Sequence, residues 1–188
     1  GEFPDDFDHF EPYLEKSFKR LPLLETVGIR KFFSGPESFT PDTQYLLGET
    51  PEINNLFVCS GFNSIGIASS GGAGRVTAEW MINGYMSEDL FSLDIKRFQK
   101  FHSSKKFIME RVTETLGDLY GMHWPYKQHK TSRNQKLLPY HDELKKAGAC
   151  FGVSGEYERP MWYALNGEKP EYKYSFDYQN SYPSVEFE

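Results

Sequence analysis

The part of this sequence best equipped for chemistry is a glycine-rich turn between an apolar run and a helical pattern. Leu56-Phe-Val-Cys59 reads as a strand, Ser60-Gly61 breaks it, and Gly61-Phe62-Asn63-Ser64-Ile65-Gly66 forms a turn of mostly small residues. A helical pattern follows from about Gly72 to Ile82 and stops at Asn83-Gly84. A strand that enters a helix through such a turn aims unpaired backbone N–H groups, and the positive end of the helix dipole, at one spot. Chemistry that suits that spot is the holding of an anion or of an electron-rich ring oxygen.

Two common phosphate-binding patterns fail here. Gly61 and Gly66 have the glycine spacing of a P-loop, but Ile67 and Ala68 stand where Lys and Ser/Thr are needed. Neither a charge for the β- and γ-phosphates nor a hydroxyl for Mg²⁺ is therefore supplied. Gly72-x-Gly74-x-x-Thr77 nearly spells the dinucleotide fingerprint. It lies too far past the strand, and no acidic residue follows at the end of a second strand. Taken alone, a glycine turn of this kind is more often a packing device than a cofactor cradle.

Composition narrows the class. A chain of 188 residues suits one domain or two small pieces and can bury a core. A net charge of −6 argues against a nucleic-acid or anionic-membrane surface. No apolar run approaches the roughly 20 residues of a membrane span. The acidic start, Gly1-Glu-Phe-Pro-Asp-Asp-Phe-Asp, lacks the basic and apolar regions of a secretion signal and reads as the interior of a longer protein. Cys59 and Cys150 form neither a metal spacing nor a redox pair; Cys59 reads as a small buried hydrophobe, and a reducing compartment, cytoplasm or mitochondrial matrix, is expected. No metal site is expected.

The elements that must position the turn follow from periodicity. Phe10, Tyr13, Leu14, Phe18 and Leu21 recur at helical spacing, with Asp8 and Glu11 resembling a capping box. Ile29 to Phe33 and Gln44 to Gly48 read as extended runs, and Pro41-Asp42 as a turn. Ser87 to Phe91 reads as a linker, after which Asp94 caps a short helix holding Ile95 and Phe98. Ile108, Val112, Leu116 and Leu119 mark a longer amphipathic helix, and Pro139 opens another, Tyr140 to Ala147. Strands are expected at Phe151 to Val153 and Met161 to Ala164, and an irregular exposed tail from Asn166 onward. The order implies α/β to α+β, with the first half completing a mixed sheet begun elsewhere and the second half small and mainly helical.

The remaining polar residues have plain readings. His123 reads as a partly buried, hydrogen-bonded structural histidine, and Arg159 as a partner for Glu156 or Glu158. Arg75 reads as a solvated side chain, Lys96-Arg97 and Lys105-Lys106 as surface, and Asp42 as a turn former.

Longer segments carry a resemblance. Gly35-Pro-Glu-Ser-Phe-Thr-Pro-Asp42, Leu47-Gly-Glu49, Asn55 to Gly66 and Gly71-Gly-Ala-Gly-Arg75 closely resemble the dimethylglycine dehydrogenase and sarcosine dehydrogenase family. Leu93 to Phe98, Tyr120-Gly-Met-His-Trp-Pro125, Arg133, Gly148 to Gly152 and Tyr157 to Tyr163 continue it in order. These are FAD-dependent amine oxidoreductases of the D-amino-acid-oxidase superfamily. The resemblance implies the carboxyl part of the flavin domain over about residues 1–90, and the family's central domain over 91–188. It implies that Gly61, Phe62, Asn63, Ser64, Ile65 and Gly66 run beside the flavin ring, and that Asp42 lies near the active-site wall. An N-terminal FAD-binding unit and a C-terminal folate-binding domain, hence tetrahydrofolate, are implied in the longer protein. The implied substrate is an N-methylated glycine, which passes a hydride to the flavin and leaves an iminium that gives formaldehyde or is captured by folate.

This chain by itself is expected to be inactive. A few backbone contacts to the ring, each contributing about 0.5–1.5 kcal/mol net, do not outweigh the entropy of association. The related regulatory subunit of pyruvate dehydrogenase phosphatase shares the same segments, so a non-catalytic regulatory relative stands as the alternative.

Overall fold

In a computed structural model, residues 2–165 and 167–187 are described; Gly1, Asn166 and Glu188, on which part of the N-terminal and tail readings rests, lie outside them. The chain divides into two compact units at Ser38/Phe39.

In the first unit, the helix α1 spans Phe7–Arg20. Its cap is Asp6, whose carboxylate accepts the His9 N–H at 3.0 Å, rather than the Asp8 and Glu11 pair suggested by spacing. Ile29 to Phe33 forms no strand; the neighbouring Ser34 instead makes a single antiparallel bridge to Phe3. Phe32 stacks on Phe7 with centroids 4.4 Å apart and meets Phe10 at 5.3 Å. Among the described residues of this unit none is buried.

The second unit holds two small sheets. In the first, β1 (Leu46–Glu49) pairs antiparallel with β2 (Phe57–Ser60), matching Leu47 with Cys59. A third segment joins it from far along the chain: Leu47 N–H donates to Leu93 O at 2.8 Å, forming a parallel bridge with Asp94. The helix α2, Gly66–Asn83, lies on this sheet through Ala73, Val76 and Trp80, which recur at helical spacing on one buried face. It begins well before the expected Gly72 and ends at Gly84, whose left-handed φ of 79° supplies the C-cap. Glycines at 66, 71 and 72 had hidden its first two turns, because their low intrinsic helix propensity weakens the pattern. Leu47, Ala73 and Leu93 form the core, with Tyr45, Phe62 and Leu90 packed against it. Cys59 is exposed, contrary to expectation: β2 is an edge strand, paired among the described residues only with β1, and its last two residues stay open to solvent.

Asp94 caps a 3-10 turn, Ile95–Arg97, and α3 spans Lys105–Tyr120. The second sheet has the order β3-β5-β4, from Lys136–Leu137, Tyr157–Tyr163 and Ala149–Ser154. Pro160 is tolerated in its middle strand because β3 reaches only Tyr157 and Glu158, and the register with β4 shifts beside it. The short α4, His141–Lys146, precedes β4. The last stretch is less irregular than its composition suggests. Tyr172 meets Trp162 edge-on and stacks on Tyr174, Phe176 lies 4.4 Å from Trp124, and α5 covers Tyr182–Phe187 with Ser184 buried.

Gly48 is the sharpest steric constraint in the first sheet. Its φ is +107°, and a Cβ there would sit 2.4 Å from two ring atoms of Trp80. Gly48→Ala is therefore expected to destabilise this chain by about 3 kcal/mol, from backbone strain and overpacking combined. Chemical denaturation of the variant beside the wild-type chain measures this directly.

Candidate functional site

The turn after β2 is held from beneath by one buried side chain. Gly61, Asn63 and Ser64 have φ of 67°, 49° and 67°, so the chain reverses within four residues. Asn63 is 3 % exposed. Its Nδ2 donates to Gly61 O at 2.6 Å, closing the turn on itself, and its Oδ1 accepts the Thr40 N–H at 2.9 Å. Thr40 donates its hydroxyl to Gln44 O at 2.8 Å and accepts Asn63 Nδ2 at 3.2 Å. Phe62 also faces inward, stacking on Tyr45 at 4.8 Å. Ser64, Ile65 and Ile67 face outward, Ile67 almost fully exposed.

The helix that begins here is left open. No side chain caps α2 at Ile65, whereas Asp6 and Asp94 cap α1 and the turn at Ile95. The first N–H groups of α2, pointing back along the helix axis, remain free for a ligand. Gly61 and Gly66 have reasons for being small inside the chain itself. A Cβ on Gly61 would meet Thr40 Cγ2 at 3.0 Å, and one on Gly66 would meet Phe62 Cβ at 3.2 Å.

Arg97, expected at the surface, is instead the clamp beneath the turn. Its side chain is 10 % exposed, and its Nε donates to Asp42 Oδ2 at 2.7 Å. Nη2 reaches Asp42 Oδ1 at 3.1 Å and Gln44 O at 2.7 Å, while Nη1 reaches Leu93 O at 2.9 Å and Asp94 O at 3.1 Å. Asp42 is thus an ion-pair acceptor as well as a turn former. The 3-10 turn at Ile95 directs Arg97 inward, and composition carried no signal of that. Arg75, by contrast, lies mid-helix, exposed, with Glu79 and Glu88 at 3.4 and 3.3 Å.

A second polar cluster lies around the second sheet. Arg133 and Glu158 form a bidentate pair, with Nε to Oε1 at 2.7 Å and Nη2 to Oε2. Arg133 also donates to His129 O and Phe151 O, and the Asn134 N–H donates to Glu158 Oε1 at 2.8 Å. Glu158 is 2 % exposed. Burial pushes its carboxyl up, but hydrogen bonds from Arg133 and the Asn134 N–H, with the Arg133 charge, outweigh burial and leave it below the usual range. Arg159, the residue named for this pairing from sequence, is exposed, and among the described residues it has no ion pair. His123 is exposed as well, its Nδ1 3.0 Å from Trp124 O.

Glu114, Asp118 and His129 also converge, with ligand atoms within 4.8 Å of one another. Both carboxylates are already engaged. Glu114 takes the Lys130 and Thr131 N–H groups and the Thr131 hydroxyl, and Asp118 takes Lys127. Lys127 supplies the positive charge that a metal ion would bring, so the trio reads as a clamp on the 127–131 loop.

Comparison with known proteins gives this arrangement a context. Residues 1–80 match the model of the FAD dependent oxidoreductase family, and residues 83–137 match the FAD dependent oxidoreductase central domain. The chain is 41 % identical to 4-methylaminobutanoate oxidase (formaldehyde-forming) of Paenarthrobacter nicotinovorans over 98 % of its length, covering 22 % of that protein. It is 36 % identical to mitochondrial sarcosine dehydrogenase of Homo sapiens over 98 % of its length, covering 20 % of it. It is 40 % identical to the mitochondrial pyruvate dehydrogenase phosphatase regulatory subunit of Mus musculus over 85 % of its length, covering 18 % of it. The chain thus spans about a fifth of the length of the curated relatives it matches.

Two substitutions test the clamps. Arg97→Lys loses the two-pronged contact to Asp42 and at least two carbonyl bonds, and is expected to cost about 2 kcal/mol of stability in urea denaturation. Glu158→Gln leaves Arg133 without its counter-charge and is expected to cost about 3 kcal/mol at neutral pH. Because the folded-state pKa of Glu158 is lowered, its contribution is whole above the ordinary value of 4.5 and is lost as pH falls through the folded pKa. The acid limb of the stability–pH curve should therefore be shallower in Glu158→Gln than in wild type.

Proposed function

This chain belongs to the FAD-dependent oxidoreductase family, and we propose that it forms the flavin-ring side of an amine oxidoreductase acting on N-methylated amino acids. Residues 1–90 are taken as the carboxyl part of the flavin domain and 91–188 as the central domain. The two family matches, meeting between residues 80 and 83, support a division in that region. The observation that carries the flavin assignment is the uncapped start of α2 behind a turn with three left-handed residues. Free amides there suit the ring oxygen and nitrogen that gain negative charge when the flavin is reduced. Bound flavin supplies the two-electron acceptor for hydride removal from an N-methyl carbon.

The chain's own contributions are positional. Gly61 and Gly66 keep the turn narrow, Asn63 holds it to Thr40, and the exposed backbone of Ser64, Ile65 and Gly66 faces the ring edge. The matched relatives are named for oxidation of 4-methylaminobutanoate and of sarcosine, which supports an N-methyl amino acid as substrate. The N-terminal FAD-binding unit, the C-terminal folate-binding domain and tetrahydrofolate enter the proposal from the family resemblance. So does a mitochondrial or bacterial cytoplasmic setting; no helix among the described residues is long and apolar enough to cross a membrane. A second reading, a regulatory relative without turnover, is favoured by the 40 % identity to the phosphatase regulatory subunit.

Steady-state turnover of sarcosine, dimethylglycine and 4-methylaminobutanoate by the full-length protein separates the two. Flavin reduction by one of them supports the enzyme, and reduction by none supports the regulatory reading. The turn itself is tested by Ile67→Asp. An acid in the first turn should stabilise this chain by about 0.5 kcal/mol through the helix dipole. In the full-length protein the same charge should lower flavin content or make its redox potential more negative. Unchanged content and potential would remove the flavin ring from this turn.

A further inference from the structure

Two segments that lie far apart in sequence meet at the glycine turn through a pair of hydroxyls. Tyr120, the last residue of α3, donates its phenolic proton to Ser64 Oγ at 2.8 Å. A phenol is the better donor of the two, which accounts for the direction of the bond. Gly121 lets the helix stop there: the chain turns away at a ψ of 151°, and a Cβ on it would lie 2.7 Å from Gly117 O. Tyr120 falls in the segment that matches the central domain, and Ser64 in the segment that matches the FAD dependent oxidoreductase model.

Serine is an odd choice for this backbone. At a φ of 67° glycine or asparagine fits with less strain, so the residue is not there for the turn alone. What serine adds is a hydroxyl. It accepts from Tyr120, and among the described residues its own proton has no acceptor. The N–H groups of Gly66, Ile67 and Ala68 likewise have none there. Donors without acceptors therefore gather where α2 begins. Ile65 and Ile67 stand among them, 48 % and 98 % exposed. A group with an electron-rich edge and an apolar face satisfies both features, whereas a hydrated inorganic anion satisfies only the first.

A hydroxyl that accepts one hydrogen bond donates the next more strongly. Loss of the Tyr120 phenol would therefore weaken the Ser64 donor and free its rotamer while leaving the serine in place. We propose that the Ser64 hydroxyl donates to the edge of the flavin ring, and that Tyr120 is its positioning residue. The phenol holds the serine proton on the ring edge, where negative charge is greatest in the reduced flavin. This rests on the flavin reading of the turn.

The test is the two-electron potential and flavin content of full-length variants. Tyr120 is 67 % exposed and Ser64 is exposed, so Tyr120→Phe and Ser64→Ala are expected to fold and to keep wild-type flavin content. Ser64→Ala should weaken binding of reduced relative to oxidised flavin by about tenfold, a potential about 30 mV more negative. Tyr120→Phe should shift it the same way by about threefold. The double variant should match Ser64→Ala, because Tyr120 acts through Ser64 alone. A wild-type potential in Tyr120→Phe, or a double variant that shows the sum of the two shifts, would overturn the proposal. Ile67→Asp keeps this proposal apart from the flavin reading. If it moves the potential and Tyr120→Phe does not, the flavin lies at the turn and the role of Tyr120 is refuted. If neither moves it, the flavin reading has failed and the role of Tyr120 falls with it.

Discussion

The guanidinium of Arg97 joins parts of the chain that sequence keeps more than fifty residues apart, and the architecture around the turn depends on it. Its five hydrogen bonds go to Asp42, Gln44, Leu93 and Asp94, through Nε, Nη1 and Nη2. That binds the loop before β1 to the segment that extends the first sheet beyond it. The Leu47–Leu93 backbone bond lies beside this clamp, and so does the core of Leu47, Ala73 and Leu93. An almost buried guanidinium has little water to fall back on, so its acceptors must be present and aligned. The same Asp42 and Gln44 region holds Thr40, and Thr40 holds Asn63. The glycine turn is thus positioned by a chain of hydrogen bonds that starts at Arg97.

That arrangement separates two jobs within six residues. Phe62 and Asn63 point inward and anchor the turn, while the side chains of Ser64 and Ile65 point outward; the Ile65 N–H closes on Phe62 O at 3.0 Å, and no side chain caps the first amides of α2. A long helix with no side-chain cap gives up roughly 0.5–2 kcal/mol of local stability. Burial of Ala73, Val76 and Trp80 against the sheet offsets that cost. The open end can therefore be kept for a ligand because tertiary packing, not local capping, holds the helix.

The second sheet uses a different device. Arg133 and Glu158 satisfy each other across the loop that precedes β3, and Glu114 collects the amides of Lys130 and Thr131. Buried pairs of this kind contribute little net stability relative to apolar residues of the same shape, but they make one arrangement of the loop far better than any other. Arg111 departs from this pattern. Burial lowers its pKa, nearby Glu156 and Glu114 raise it in part, and one of its donors stays unmatched.

Much of the fold was legible because it is written in local periodicity. The strands near Leu46 and Phe57, the Asp94 cap, α3, the middle of β4 at Phe151 to Val153 and the end of β5 from Met161 follow from alternating or helical apolar spacing and from Gly and Pro punctuation, whereas the first half of β5, from Tyr157, does not. The glycine turn was legible for the same reason, since glycine marks where backbone must turn sharply. The direction of Arg97, the exposure of Cys59 and of His123, and the pairing of Glu158 with Arg133 instead of Arg159 were not. Each depends on which distant group lies opposite, and a side chain's partner across 25 or 55 residues leaves no trace in its neighbours. Sequence alone determined where the chain turns and which faces are apolar. Only the tertiary structure decided which charges are buried together, because the cost of burying a charge is set by the partner that the fold brings to it.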